Sequence, residues 1–151
     1  MKNLVKQMFT KEDLAAIATA IGEAEKTTAG EIRVSIRQKR KWREKKRTID
    51  ELARQEFHAL GMTKTKERTG ILIFLLLEDK KFYILADDGI HTKVEDGTWN
   101  KIANEISNHF SQNNFRLGII HGVKLVGMEL SKFFPRKADD TNELPNDVHV
   151  Q

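Results

Sequence analysis

The chain has 151 residues, enough for one domain with a substantial core. Hydrophobic residues make up 39% and charged residues 32%, the balance of a soluble globular protein, and the absence of cysteine excludes disulfides, thiolate nucleophiles and cysteine-based zinc sites. The net charge of +4 is small but unevenly spread: "RQKRKWREKKR" (37–47) packs cations around Trp42, whereas the final stretch "KADDTNELPNDVHV" is acidic.

The first residues, "MKNLVKQMFTKEDL", hold no apolar core of the length of a secretory leader. Thr10, with Asp13 three residues on, reads as the cap of a helix that carries Leu14, Ile17, Ala18, Ile21 and Ala24 at helical spacing. The pattern then alternates: Ile32, Val34 and Ile36 fall on one side, and Arg33, Ser35 and Arg37 on the other. That predicts a strand over 31–37 with one solvated face. Thr48 and Glu51 form a capping-box pattern for a second helix with Ile49, Leu52, Ala53, Phe57 and Leu60, which Gly61 stops.

"TGILIFLLLEDKKFYILADD" predicts two antiparallel strands, 70–77 and 82–87, around a turn at Glu78–Lys81. The first is apolar on both faces, as a central strand covered on both sides would be. Thr98 is the expected cap of a third helix carrying Trp99, Ile102, Ala103, Ile106 and Phe110. A fourth helix runs from Asn114 to near Phe134, with Gly118 and Gly122 one turn apart for close packing. The run 115–134 is broken by His121, Lys124, Glu129 and Lys132, and "ILIFLLL" (71–77) is too short, so no membrane span is expected. This order predicts an α/β fold: a three-layer α/β/α sandwich on a small mixed sheet, with strands 31–37 and 70–77 parallel through the intervening helix. The expected ordered core is 9–135 and the acidic tail 136–151.

The topology bears on the adjacent carboxylates in "LADDGIHTKV" (85–94). Parallel strands start at one edge of the sheet, and the antiparallel strand ends there, so Glu31, Asp87 and Asp88 are candidates to converge. Glu95 and Asp96 lie in the loop before the third helix, while Glu78 and Asp79 fall at the opposite edge and read as a turn. Carboxylates meeting beside a glycine loop suit a hard cation that takes many oxygen ligands. The alternative is a turn whose side chains cap local amides. Arg68, just before the second strand, places a cation at the same edge, and His91 is the histidine nearest Asp87 in sequence. The basic run 37–47 reads either as a solvated loop or as a weak contact for polyanions, nucleic acid or anionic lipid.

Four stretches together, "FTKEDLAAIATAIGEAEKTTAGEIRV", "ALGMTKTKERTGILIFLLLEDKKFYILADDGI", "WNKIANEI" and "FPRKADDTNELPNDV", resemble the TPM domain, the family founded on thylakoid-lumen, photosystem and acetylcholine-receptor-modulator proteins. The chain is most similar to the short stand-alone bacterial branch. The resemblance implies an α/β/α sandwich, calcium binding by acidic loop residues in some members, and a weak phosphatase activity. Glu31 stands at the glutamate of "GEI", and Asp87 or Asp88 at the acid before "GI"; Ala86 replaces the family's frequent glycine before that acid. The functional expectation is therefore a cytoplasmic, monomeric module that binds Ca²⁺ in preference to Mg²⁺ and has an interaction or regulatory role, with an unidentified protein partner. Its expected ligands are Glu31, Asp87, Asp88, Glu95 and Asp96. The alternative is a weak metal-assisted phosphatase acting on phosphomonoesters, with no dedicated nucleophile in view.

Overall fold

Thr10 starts the first long helix as its sequence pattern requires. Its hydroxyl accepts the Asp13 N–H at 3.0 Å, and the Asp13 carboxylate accepts the Thr10 N–H at 2.9 Å. Helix α2 (Lys11–Glu25) follows, preceded by a short α1 (Leu4–Met8) that the sequence pattern did not show. The computed structural model describes residues 3–136 and 144–151, without the side chain of Asp96. The remaining elements are β1 (Glu31–Arg37), α3 (Ile49–Ala59), β2 (Gly70–Leu76), β3 (Lys81–Ala86), α4 (Asp88–His91), α5 (Asp96–Ser111), α6 (Phe115–Phe133) and β4 (His149–Val150).

The sheet order is β3-β2-β1-β4. Strand β1 runs parallel to β2, from Glu31 opposite Gly70 to Arg37 opposite Leu76, and also parallel to β4; β3 is antiparallel to β2. Helices α2, α5 and α6 cover one face, packing on Ile32, Val34, Ile36, Ile71, Ile73 and Leu75. Helix α3 covers the other face, where Leu52, Ala53 and Phe57 meet Leu72, Phe74, Leu76 and Leu85. The three-layer α/β/α sandwich on a mixed sheet is thus present, and β2 is buried on both faces as its apolar run predicts. Among the described residues no helix is long and apolar enough to cross a membrane.

The glycines of α6 admit neighbours closely. A Cβ at Gly122 would lie 2.5 Å from Ile106 of α5, and one at Gly127 would lie 2.8 Å from Ala24 of α2. Two expectations need correction. Strand β1 has no solvated face, since all seven of its residues are buried. The Ser35 hydroxyl donates to Glu56 of α3 at 3.1 Å, and Arg37 pairs with Glu44 at 2.8 Å and Glu56 at 3.6 Å, so a polar row is buried against partners distant in sequence. Helix α5 begins at Asp96 with Glu95 in the cap position, three residues ahead of the expected start after Thr98. Two elements also lie outside 9–135: α1 docks through its Leu4 N–H on Gln38 Oε1 at 2.9 Å, and β4 pairs with Ser35 and Ile36. The tail positions 137–143 lie outside the described residues.

Candidate functional site

The three backbone segments expected at one sheet edge do meet there. The Glu31 N–H donates to the Thr69 carbonyl at 3.0 Å, and the Asp87 N–H donates to the Gly70 carbonyl at 2.9 Å. Beyond that edge the chain turns at once into α4. Asp87 is its cap, accepting the Asp88 N–H at 2.8 Å, so the local-capping role of the "DDG" turn is real.

Asp87 does more than cap. Its side chain is 5% exposed, and both carboxylate oxygens accept from the Arg68 guanidinium, Oδ2 from Nε and Oδ1 from Nη2, each at 2.8 Å. Such a two-pronged pair fixes the orientation of both side chains. The Arg68 guanidinium is raised above its ordinary value by the hydrogen bond and then the charge of Asp87. Asp88, 86% exposed, stands 3.8 Å from the same guanidinium. Arg68 itself adopts a left-handed backbone, φ 56°, uncommon for a residue with a Cβ. Its carbonyl accepts the Gly89 N–H at 3.0 Å. A Cβ at Gly89 would collide with the carbonyls of Glu67 and Arg68, so the crossing of loop 65–69 over turn 87–91 requires glycine there.

Glu31 takes a different direction. Its carboxyl faces that of Glu25, at the end of α2, inside the protein. Glu25 Oε2 accepts the Ile32 N–H at 2.7 Å. The two carboxyls share a side-chain hydrogen bond, which needs one proton between them. Burial pushes the Glu25 carboxyl up to about 8, and the charge of and contact with Glu31 add to this, while the Ile32 N–H and the Arg136 cation oppose it.

Of the five expected ligands, then, the structure brings Asp87 and Asp88 together around Arg68. Glu31 is directed to Glu25, Glu95 is exposed before α5, and the Asp96 side chain lies outside the described residues. Among the described residues no group of three or more histidine, aspartate or glutamate side chains is placed to hold a metal ion. One partner, Glu25, escaped sequence reasoning. Glu25 carried a signal, because it continues the buried row Ile17–Ile21 at a spacing of four. Arg68 stands at this edge as its position before β2 led one to expect, but its pairing with Asp87 had no signal in the sequence.

The family model of the TPM domain matches residues 4–129. The chain belongs to the TPM-domain family. Among solved structures it is similar to the BA42 protein of the psychrophilic bacterium Bizionia argentinensis, with 40% identity, a TM-score of 0.86 and 95% of each chain covered. The N-terminal domain of a Corynebacterium glutamicum protein, cg2496, shares the fold at 14% identity and TM-score 0.63, covering 87% of this chain and 78% of that one. The N-terminal domain of a P. gingivalis protein does so at 17% and 0.67, covering 84% and 79%. No curated protein matches the sequence.

At the opposite edge, this TPM domain presents its basic run as a fixed shape. Buried Glu44 is the anchor: its Oε1 accepts from Arg37 Nη1 and the Lys41 N–H, both at 2.8 Å, and its Oε2 from Gln55 at 2.6 Å. Burial pushes the Glu44 carboxyl up, but those three donors outweigh it and hold the group below its ordinary value. The result is a short 3₁₀ turn, Trp42–Glu44, that holds Trp42 80% exposed among exposed Lys39, Lys41, Arg43, Lys45, Lys46 and Arg47.

Proposed function

We propose that this TPM domain is a divalent-cation-binding module, for calcium in preference to magnesium, with an interaction or regulatory role. Its ion would bind where loop 65–69 crosses turn 87–91. The observation that supports this reading most is the state of Asp87: a nearly buried carboxylate with both oxygens already on one cation, Arg68. Asp88 stands beside it, and the carbonyls of Glu67 and Arg68 pack on Gly89. These donors are hard oxygens, the type Ca²⁺ prefers. With the guanidinium in the ion's place, binding is an exchange. Arg68, 46% exposed, swings outward and the ion takes the two Asp87 oxygens with Asp88. Glu31 stays with Glu25.

A Ca²⁺ titration followed by residue-resolved NMR tests this. Shifts should concentrate at 66–69 and 87–91, Asp87→Asn should weaken binding more than Asp79→Asn, and Arg68→Ala should strengthen it by removing the competitor. Shifts centred on Glu78–Asp79, or none at millimolar Ca²⁺, would sink the placement. The same reading takes the domain as cytoplasmic and monomeric, with a protein partner of unspecified class and weak polyanion contact through 37–47.

The second reading, slow metal-assisted hydrolysis of phosphomonoesters, draws on Arg68, which on leaving Asp87 becomes a phosphate-binding cation beside the ion. It requires turnover of an aryl phosphate that disappears in both Asp87→Ala and Asp88→Ala. Turnover that survives both belongs to a contaminant or another site.

A further inference from the structure

A cavity of about 820 Å³ lies far from the Asp87 loops, at the carboxyl ends of the parallel strands. It opens between α1, the start of α2, and the ends of β1 and β4, where Gln38, Val150 and Gln151 line it. In open α/β sheets this is where ligands collect, because the strand ends and the loops beyond them leave a crevice. The volume falls within the range of small-molecule sites, roughly 300–1,000 Å³.

The lining divides in two. Val5, Phe9, Leu14 and Val150 form an apolar floor. Lys6, Lys11 and Lys41, all exposed, line the cavity as well. Lys41 is held in position because its backbone N–H is bonded to the buried Glu44 anchor. An apolar floor with ammonium groups rejects both a neutral polar solute and a bare inorganic anion: the first leaves the cations unused, the second leaves the floor wet. One ligand class satisfies both halves. We infer that this cavity binds a single-chain anionic amphiphile, with its hydrocarbon on Val5, Phe9 and Leu14 and its carboxylate or phosphate head among Lys6, Lys11 and Lys41.

The assignment stands apart from cation binding and requires no metal. The test uses the full chain and decanoate below its micelle concentration, followed by residue-resolved NMR and calorimetry, with octanoate, decanol and acetate as separate arms. Decanoate should saturate one site with shifts at Val5, Leu14, Gln38, Lys41 and Val150. Affinity should rise about fourfold per added methylene, the fold-change equivalent to about 0.8 kcal/mol per buried CH₂. Decanol, without the charge, and acetate, without the chain, should each bind at least about tenfold more weakly. Decyl phosphate in place of decanoate tells whether the head is carboxylate or phosphate, and either one binding supports the class. Leu14→Trp should fill the cavity and abolish binding. The surface double variant Lys11→Glu/Lys41→Glu, which leaves the core untouched, should weaken decanoate and spare decanol. Decanol matching decanoate, affinity unchanged in the double variant, or shifts centred on the neighbouring cavity under Met8, Phe82 and Phe110 would each overturn the assignment.

Discussion

Replacing Glu25 with glutamine should change how stability depends on pH more than it changes stability itself. In the folded protein the Glu25 carboxyl is buried against Glu31, and burial raises it from 4.5 to about 8. Its folded value lies above its unfolded one, so the stability it contributes is complete below about pH 4.5 and is lost as pH rises through 8. At 1.36 kcal/mol per pH unit, integration from pH 5 to pH 9 gives a loss on the order of 4 kcal/mol from this group. Glutamine keeps an oxygen for the Ile32 N–H and presents an amide to Glu31, but it has no charge to bury. Urea unfolding at pH 5, 7 and 9, followed through the buried Trp99, measures both curves. All other titrating groups are common to both proteins, so their difference isolates the carboxyl pair. Glu25→Gln should be close to the parent at pH 5 and clearly more stable at pH 9. Parallel curves, or an equal destabilisation at every pH, would refute the protonated pair.

Three further outcomes follow from contacts described above. Gly89→Ala forces a methyl against two backbone carbonyls and should cost about 1–3 kcal/mol in thermal unfolding, with NMR changes concentrated at 65–69 and 87–91. Glu44→Ala strips the buried Arg37 of its closer partner and leaves Glu56 at 3.6 Å, so urea denaturation should show a loss near the low end of the roughly 3–5 kcal/mol range for a broken buried pair. Trp42→Ala should leave stability within about 0.5 kcal/mol, because the ring is 80% exposed, while any polyanion retention by 37–47 should vanish by 1 M salt, where the screening length is about 3 Å.

What the sequence disclosed was local in origin. Thr10 with Asp13 and Thr48 with Glu51 announce helix starts because the hydrogen bonds they predict span three residues, and these bonds form. The apolar run 70–77 announces a central strand because both its faces are covered. The errors came from partners supplied by distant chain. Arg33, Ser35 and Arg37 alternate as a solvated face would, yet Glu44 and Glu56 bury Ser35 and Arg37. The edge shared by Glu31 and Asp87 was legible from topology. The directions of the side chains were not, since Glu25 and Arg68 decide them. Helix α4, with four residues, and β4, with two, are too short to carry a period.

The placement of β4 sets an order of assembly. Strands β1, β2 and β3 are joined by one helix and one tight turn, so they can pair as soon as those connections close. His149 and Val150 reach Ser35 and Ile36 from beyond α6, so their pairing closes a far longer loop than the pairings among β1, β2 and β3. Closing so long a loop is the slowest kind of contact to form. The outer edge of β1 is therefore the last seam of the sheet to be sewn, and a nascent chain passes through a stage in which that edge can pair with a stray strand.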